Sequence, residues 1–347
     1  MKLNEKVKKL PETSGVYLMK DKDGNVIYIG KSKCLKNRVS QYFTPSYAPS
    51  KKITKMISFI NDIEIITTDT ELDALILECR LIKKIKPMYN TLMNNDKRYA
   101  YIKVNIDKEY PDIECTLQKI DDNLYFGPYT SLSKLEEIVN ILRKYFKIRS
   151  CNGYMKQKGC INYDLGFCIA PCKFNDKKSY NFFIEKLINT LNGKDYSIIN
   201  DLNKKMQEAT KALNFEKAIK YRNDIESIKT IIHKSEAINY IKENKTILAK
   251  VNIDGFKSKL YILNGIEVFY SKLVKNEKLK DNNLKNELSK HINKSLNSNK
   301  KIYKNYIKKE ELDMSNIIYS YLNYSKDCNY IKIDELNIDH SIKVICR

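Results

Sequence analysis

Between Thr70 and Pro87 the sequence spells out one complete helix, with its start and its stop. Thr70 followed three residues later by Asp73 has the form of a capping box, in which each side chain satisfies a backbone amide of the first turn. Pro87 cannot extend the helix beyond Lys86. Inside it stands Glu78, whose neighbours at helical spacing are Ala74, Leu75, Leu81 and Ile82, all apolar. A carboxylate enclosed in this way is costly to desolvate unless it is paired or holds a cation. The bland alternative places Glu78 at the rim of the stripe, reaching solvent or a lysine. Whatever else the chain does, its fold must either bury or use this side chain.

The segments around this helix alternate in type. Gly15–Lys20 and Val26–Gly30 read as strands about the turn Asp21-Lys22-Asp23-Gly24, whose Asp and Gly suit a hairpin connection. Ser32 is placed to cap a helix running to about Phe43, and Ser50 another that carries Ile53, Met56, Ile57 and Ile60 at helical spacing. Ile63–Thr68 makes a third strand. Further on, strands are expected at Tyr99–Val104 and Ile113–Lys119. A helix capped by Ser133 and Glu136 follows, with Leu135, Ile138, Leu142, Tyr145 and Phe146 on its apolar face. A helix near Lys178–Leu191 stops at Asn192-Gly193, and Tyr196–Ile232 reads as a helical hairpin broken at Asn214. Lys259–Leu263 and Ile266–Leu273 flank Asn264-Gly265 as a second β-hairpin, before two Lys- and Asn-rich helical stretches. The fold class expected is α+β in four segments: 1–98, a small α/β domain; 99–194, a cysteine-rich region; 195–235, the helical hairpin; and 236–347, a further α/β domain.

With 63 Lys and Arg against 42 Asp and Glu, the chain carries a net charge of +21, spread over its whole length. An excess of this kind favours a polyanionic partner, because neutralised phosphates release counterions. Only seven of the basic residues are Arg, and the Lys-, Asn- and Ile-rich composition is also what an A·T-rich genome encodes, so charge by itself leaves the partner open. At 42% hydrophobic residues the chain should fold. It offers no apolar run of the roughly 18 residues that a membrane span needs, and Met1–Lys6 does not resemble a signal peptide. A cytoplasmic location is the expectation.

Four of the nine cysteines fall between Cys151 and Cys172, as Cys151-x8-Cys160-x7-Cys168-x3-Cys172. That density points to four thiolates at one metal centre, whereas Cys34, Cys79, Cys115, Cys328 and Cys346 read as ordinary thiols. Zinc and an iron–sulfur cluster both accept four cysteines, and the spacing does not choose between them.

Singly, Tyr17 and Tyr28 read as half-buried strand aromatics, and Arg38 with Tyr42 as a surface pair four residues apart. Together they carry a pattern. Gly15-Val16-Tyr17 and Tyr28-Ile29-Gly30, followed by Lys31, Arg38, Tyr42, Glu78 and Asn90, resemble the GIY-YIG nucleases, in the order and spacing of the excinuclease subunit UvrC. The resemblance implies a Mg²⁺ (or Mn²⁺) ion on Glu78, with Tyr17 acting as or with the general base and Arg38 steadying the phosphate. Tyr28, Lys31 and Tyr42 would position water or the scissile group, and Asn90 would support the site. Phosphodiester hydrolysis needs an activated water and positive charge where the phosphoryl oxygens become more negative. A tyrosine of ordinary pKa is a poor base at neutral pH, so Lys31 or the metal would have to lower that of Tyr17.

The segment Cys160–Cys172 is similar to the UvrC stretch for which a [4Fe–4S] cluster is implied, with Zn²⁺ as the alternative. Leu202–Ala209 and Asn214–Ala218, with Met206, Phe215, Glu216, Ala218 and Arg222, resemble the UVR motif, which implies pairing with UvrB. Asn223 and Asp224 depart from the motif and are expected to weaken that pairing. In 236–347 no second nuclease pattern is recognisable. Asp254, Asp334, Asp339 and His340 are scattered, so the organisation resembles the short, single-incision homologues called Cho, and deleting this section is expected to spare incision. The function implied is one incision in damaged double-stranded DNA during nucleotide excision repair, after a UvrB-type protein has loaded the strand. A non-catalytic DNA-binding adaptor would keep the charge, cysteines and hairpin but does not need Tyr17, Arg38 and Glu78. A metal-stabilised RNA-binding protein would leave the nuclease positions unexplained.

Overall fold

The first hairpin closes on Asp21, whose Oδ1 accepts hydrogen bonds from the amides of Asp23 (3.0 Å) and Asn25 (2.9 Å). Gly24 supplies the left-handed residue of the turn at φ +82°. These are coordinates of a computed structural model describing residues 3–44, 50–90, 99–151, 160–299, 309–333 and 337–346. They fall into two units: 1–95 together with 239–347, and 96–238.

In the first unit, β1 (Gly15–Lys20) lies between β2 (Val26–Ser32) and β3 (Asp62–Thr67), antiparallel to both. Strand alternation sends Tyr17 and Met19 to one face and Val16 and Leu18 to the other. The first pair packs with residues of α2 (Leu35–Gln41) and α3 (Lys51–Phe59), and with Val7 of α1 (Leu3–Lys8). The second pair packs with Ala74 and Ile82 of α4 (Glu71–Ile85). The capping box of α4 is present as expected, and Lys86 ends the helix in a left-handed conformation just before Pro87. Ser32, by contrast, does not cap α2. Cys34 holds the cap position, and the Ser32 hydroxyl is bonded to the Cys34 amide and carbonyl instead.

The second unit is built on β4 (Ala100–Asn105), β5 (Asp112–Thr116) and β6 (Leu124–Tyr129), in the order β5-β4-β6. The strand β6 is not expected from the sequence, because Gly127-Pro128 in its middle reads as a breaker. α5 (Leu132–Tyr145) is capped by Ser131 rather than Ser133, and Leu135, Ile138 and Leu142 are buried as its periodicity predicts. Two short helices, α6 (Ile161–Asp164) and α7 (Pro171–Phe174), precede α8 (Lys177–Leu191). α9 (Ser197–Lys211) and α10 (Phe215–Glu243) form the hairpin. Its turn has Leu213 in the left-handed region and the Asn214 amide bonded to Ala209 O at 2.8 Å. α10 continues past Ile232, the expected end of the hairpin.

The rest of the first unit is a four-stranded antiparallel sheet of β7 (Thr246–Asn252), β8 (Lys257–Asn264), β9 (Glu267–Lys275) and β10 (Cys328–Lys332), in the order β10-β7-β8-β9. Its faces are covered by α11 (Asn282–Asn299) with α13 (Ile338–Ile345), and by α12 (Lys309–Tyr324) with α4. Thus α4 is buried on two sides. Ala74 and Ile82 meet the first sheet, while Leu72, Ile76 and Cys79 join a core with Ile247, Tyr261 and Ile318.

Polar contacts fix the same junction. Thr70 Oγ1 and Tyr261 Oη are 2.6 Å apart in buried surroundings, and Lys259 Nζ lies 2.8 Å from Asp69 and 2.9 Å from Asp73. This packing bears on the expectation that deleting the C-terminal section spares incision, because removal uncovers one whole side of α4. Leu72→Ala should therefore cost about 2–5 kcal/mol of stability. Tyr261→Phe should cost about 1 kcal/mol, both read from urea unfolding curves.

Candidate active site

Glu78 lies in line with Ala74 and Ile82, on the side of α4 that meets the first sheet, and reaches the β2 edge. There its Oε1 accepts the amide of Lys31 at 3.1 Å, the single hydrogen bond it makes among the described residues. Burial pushes the Glu78 carboxyl above its usual range, and the Lys31 charge and amide recover only part of this. A half-buried carboxylate with one amide partner is short of positive charge, which is what a site for a divalent cation requires.

Across the strand pair, Tyr17 and Gly30 stand opposite each other. A side chain at position 30 would occupy the place of the Tyr17 phenol, with Tyr17 Cε2 only 2.9 Å from its Cβ. Gly15 is confined in the same way, since its Cβ would lie 2.8 Å from Leu35 Cδ1. The two glycines therefore let the strands and α2 close around the tyrosine. Tyr17 Oη and Tyr42 Oη are 3.0 Å apart, and the Tyr17 ring centroid lies 6.2 Å from that of Tyr28 and 6.1 Å from that of Tyr42. Arg38, exposed on α2, places its guanidinium carbon 5.3 Å from the centre of the Tyr42 ring and donates to Gln41 Oε1 at 3.2 Å. Burial raises the pKa of Tyr17 far above the ordinary phenol, and Tyr28 and Tyr42 add to this while Arg38 opposes it. Tyr28 is raised for the same reason, with the Glu78 carboxylate among the contributors.

Lys31 does not supply the compensating charge. Its Nζ sits 2.6 Å from Glu71 Oε1, and Lys33 holds the other Glu71 oxygen at 3.1 Å while also reaching Asp327 at 3.3 Å. Burial pushes the Glu71 carboxyl up, but the two lysines outweigh it and hold Glu71 ionised. The expectation that Lys31 would lower the pKa of Tyr17 is corrected by this pairing. Asn90 exchanges two hydrogen bonds with the backbone of Ile29, at 2.8 and 2.7 Å, and so ties the chain beyond α4 to β2.

The four clustered cysteines lie in the second unit. Cys168 is buried, its Sγ accepts the Ala170 amide at 3.4 Å, and burial raises its pKa, with Cys151, Cys160 and Cys172 each near enough to add to the effect. Among the described residues, no three metal-ligating side chains come together tightly enough to hold an ion. Elsewhere burial pushes Cys79 up to about 11 and Cys328 to about 12, as expected of inert core thiols.

On the hairpin, Met206, Thr210, Phe215, Ala218, Ile219 and Arg222 line one groove of about 470 Å³. Glu216 is exposed outside that lining. The apolar tip is open, with Leu213 74% and Phe215 60% exposed.

Residues 13–91 match the UvrC-like GIY-YIG domain, 99–190 the middle domain of the UvrC/Cho excinucleases, and 197–231 the UvrB/uvrC motif, in that order along the chain. This chain is UvrC-like over residues 13–231. Its curated relatives include the UvrABC system protein C of Caldanaerobacter subterraneus, 40% identical over 78% of this chain and 44% of the relative. That of Clostridium tetani is 41% identical over 75% of this chain and 43% of the relative. The chain thus spans less than half the length of these relatives. Among solved structures, the GIY-YIG N-terminal endonuclease domain of Thermotoga maritima UvrC, bound to magnesium as its catalytic cation, is 39% identical. It covers 26% of this chain and 96% of its own, with a TM-score of 0.24.

Within this UvrC-type chain, the sequence singles out the tyrosines and Glu78 but not Glu71, the residue that holds Lys31. Its signal is available only in part. Glu71 is the first residue of α4 and reads as a first-turn acid favoured by the helix dipole, and nothing local shows that two lysines from β2 and the following loop converge on it. Lys33 and Asp327, separated by 294 residues, cannot be paired from sequence.

Proposed function

We propose that this chain is a divalent-metal-dependent DNA endonuclease of the cytoplasm that makes one incision beside damage in double-stranded DNA during nucleotide excision repair. The observation that carries the reading is the arrangement at the β2 edge: a charge-deficient Glu78, three tyrosines in mutual contact and an exposed arginine. Glu78 would hold Mg²⁺ (or Mn²⁺), which when bound supplies the positive charge that the phosphoryl oxygens and the attacking water need. The chain's own residues do the rest. Arg38, exposed beside Tyr42, is placed to meet a phosphate. Tyr17 keeps its proton in the chain alone and shares a hydrogen bond with Tyr42, so the pair would orient the attacking water. Tyr28, facing Glu78, closes the site from the side. Lys31, held by Glu71, contributes its amide to Glu78 and a fixed positive charge nearby. Asn90 keeps β2 in place. Arg38→Ala should lower incision about 10²–10³-fold, the usual loss for one preorganised donor, while the protein still binds duplex.

We also propose that Cys151, Cys160, Cys168 and Cys172 hold a thiolate-ligated metal centre, a [4Fe–4S] cluster in preference to zinc. The reading is supported by the soft donor set, its spacing along the chain and the Ala170 amide directed at Cys168 Sγ. Its part would be to order a region poor in secondary structure. Anaerobically purified protein should be brown, with iron and sulfide in equal amounts. Colourless protein with one zinc per chain would reassign the centre, and folded protein with neither metal would remove it.

The hairpin would receive the corresponding motif of a UvrB-type loading protein in the groove beneath Phe215. Phe215→Ala should weaken that complex by more than about 2 kcal/mol, the scale of a buried aromatic anchor, as measured by calorimetric titration. Unchanged affinity would return Phe215 to the role of an ordinary hairpin-tip residue. Among the described residues no helix is long and apolar enough to cross a membrane.

A further inference from the structure

A cleft of about 890 Å³ in the second unit lies between α5, the segment just before Cys168, α8 and the hairpin helices. We propose that it binds an unpaired nucleic-acid strand. Five lysines, Lys144, Lys147, Lys186, Lys205 and Lys220, line it, and none of them is held in an ion pair with a described carboxylate. Two are poised over rings of the cleft lining itself: Lys144 Nζ lies 5.1 Å from the centre of Phe167, and Lys205 Nζ 5.9 Å from that of Tyr145. Phe167 is 37% exposed and Tyr221 lies on the opposing helix α10, so the cleft presents ring faces as well as ammonium groups.

Three carboxylates, Glu137, Asp201 and Asp224, line the cleft against five lysines, so a positive excess remains. Asp201 is engaged by the Tyr145 hydroxyl, and burial raises the pKa of Asp224 against the opposing pull of Lys220 and Lys144. Asn223 and Asp224, the two positions that depart from the UVR pattern, line this cleft and not the groove at the hairpin tip. The departure therefore falls where a second ligand would lie.

Lysines that track a backbone, interleaved with rings that accept stacked bases, are the chemistry of single-strand binding. A duplex keeps its base faces to itself and offers nothing for Phe167 and Tyr221 to stack on. The inference rests on the DNA-directed reading above only for the kind of polymer, because binding here needs no cleavage.

The test is fluorescence anisotropy of a labelled oligothymidylate with the full chain in EDTA, so that incision plays no part, across a series of salt concentrations. Lys144→Ala/Lys205→Ala/Lys220→Ala should flatten the slope of log affinity against log salt by about 0.7 for each phosphate left without its lysine. Phe167→Leu should weaken binding about tenfold and leave the slope unchanged. Lys278→Ala/Lys280→Ala/Lys294→Ala, which removes the same charge from the other unit, should change neither. Circular dichroism reports whether each variant keeps its helices. Equal effects from the two lysine triples, or no binding by the wild type, would overturn the proposal. Displacement of the oligonucleotide by polyglutamate at equal charge would assign the cleft to an acidic polypeptide and overturn it as well. A chain that binds the oligonucleotide as described but cuts no DNA would instead contradict the nuclease reading alone.

Discussion

Glu78→Gln should abolish incision while leaving the protein at least as stable as before. The substitution keeps the shape of the side chain and an oxygen to accept the Lys31 amide, and it removes a charge that burial already disfavours. Activity and stability therefore move in opposite directions, as they do where a site keeps a group its surroundings resist. The metal's contribution to phosphoryl chemistry is worth several kcal/mol, and each about 1.4 kcal/mol is tenfold in rate, so the loss should reach about a thousandfold. A thermal melt with and without Mg²⁺ gives an independent check. A cation that binds only the folded state raises stability by mass action, by about 2.7 kcal/mol at a hundred times its dissociation constant. Wild type should show that shift, and Glu78→Gln should not.

Gly30→Ala should be nearly as damaging, although position 30 touches no substrate. The added Cβ falls on the Tyr17 phenol, and Tyr17 is 1% exposed, so its ring has little room to retreat. Overpacking of this kind costs about 1–3 kcal/mol of stability. The larger effect is on the site, because displacing Tyr17 breaks its hydrogen bond to Tyr42, and misplacement by about 1 Å can cost about 100-fold in rate. Incision kinetics at saturating DNA should show a fall in kcat with the fold retained by circular dichroism. Wild-type kcat would mean that Tyr17 need not sit where the structure places it.

How much of the fold and site is legible in the sequence differs from one part of the chain to another, for physical reasons. The first sheet and α4 are readable because their signals are local: an Asp-Gly turn, alternating strand residues, a capping box and a terminal proline. The enclosed Glu78 is readable because helical spacing places four apolar residues around it. The strand β6 is hidden by Gly127-Pro128, and β7, buried on both faces, by its lack of polar–apolar alternation, although Asp254-Gly255 follows it. The two-sided burial of α4 cannot be read from its own sequence, since Leu72, Ile76 and Cys79 meet residues more than 150 positions away. That Lys31 does not act on Tyr17 is missed for a related reason. A lysine's charge can be assigned from sequence, but the carboxylate it settles on is decided by how β2 and α4 meet.

The most direct measurement is incision of a damaged duplex labelled at both ends, by wild type and by Glu78→Gln, in the presence of a UvrB-type loading protein and Mg²⁺. A metal centre on Glu78 that performs one incision predicts a single labelled product from the wild type and none from the variant, with duplex binding equal in the two. Cutting by Glu78→Gln, on either side of the lesion, would contradict it.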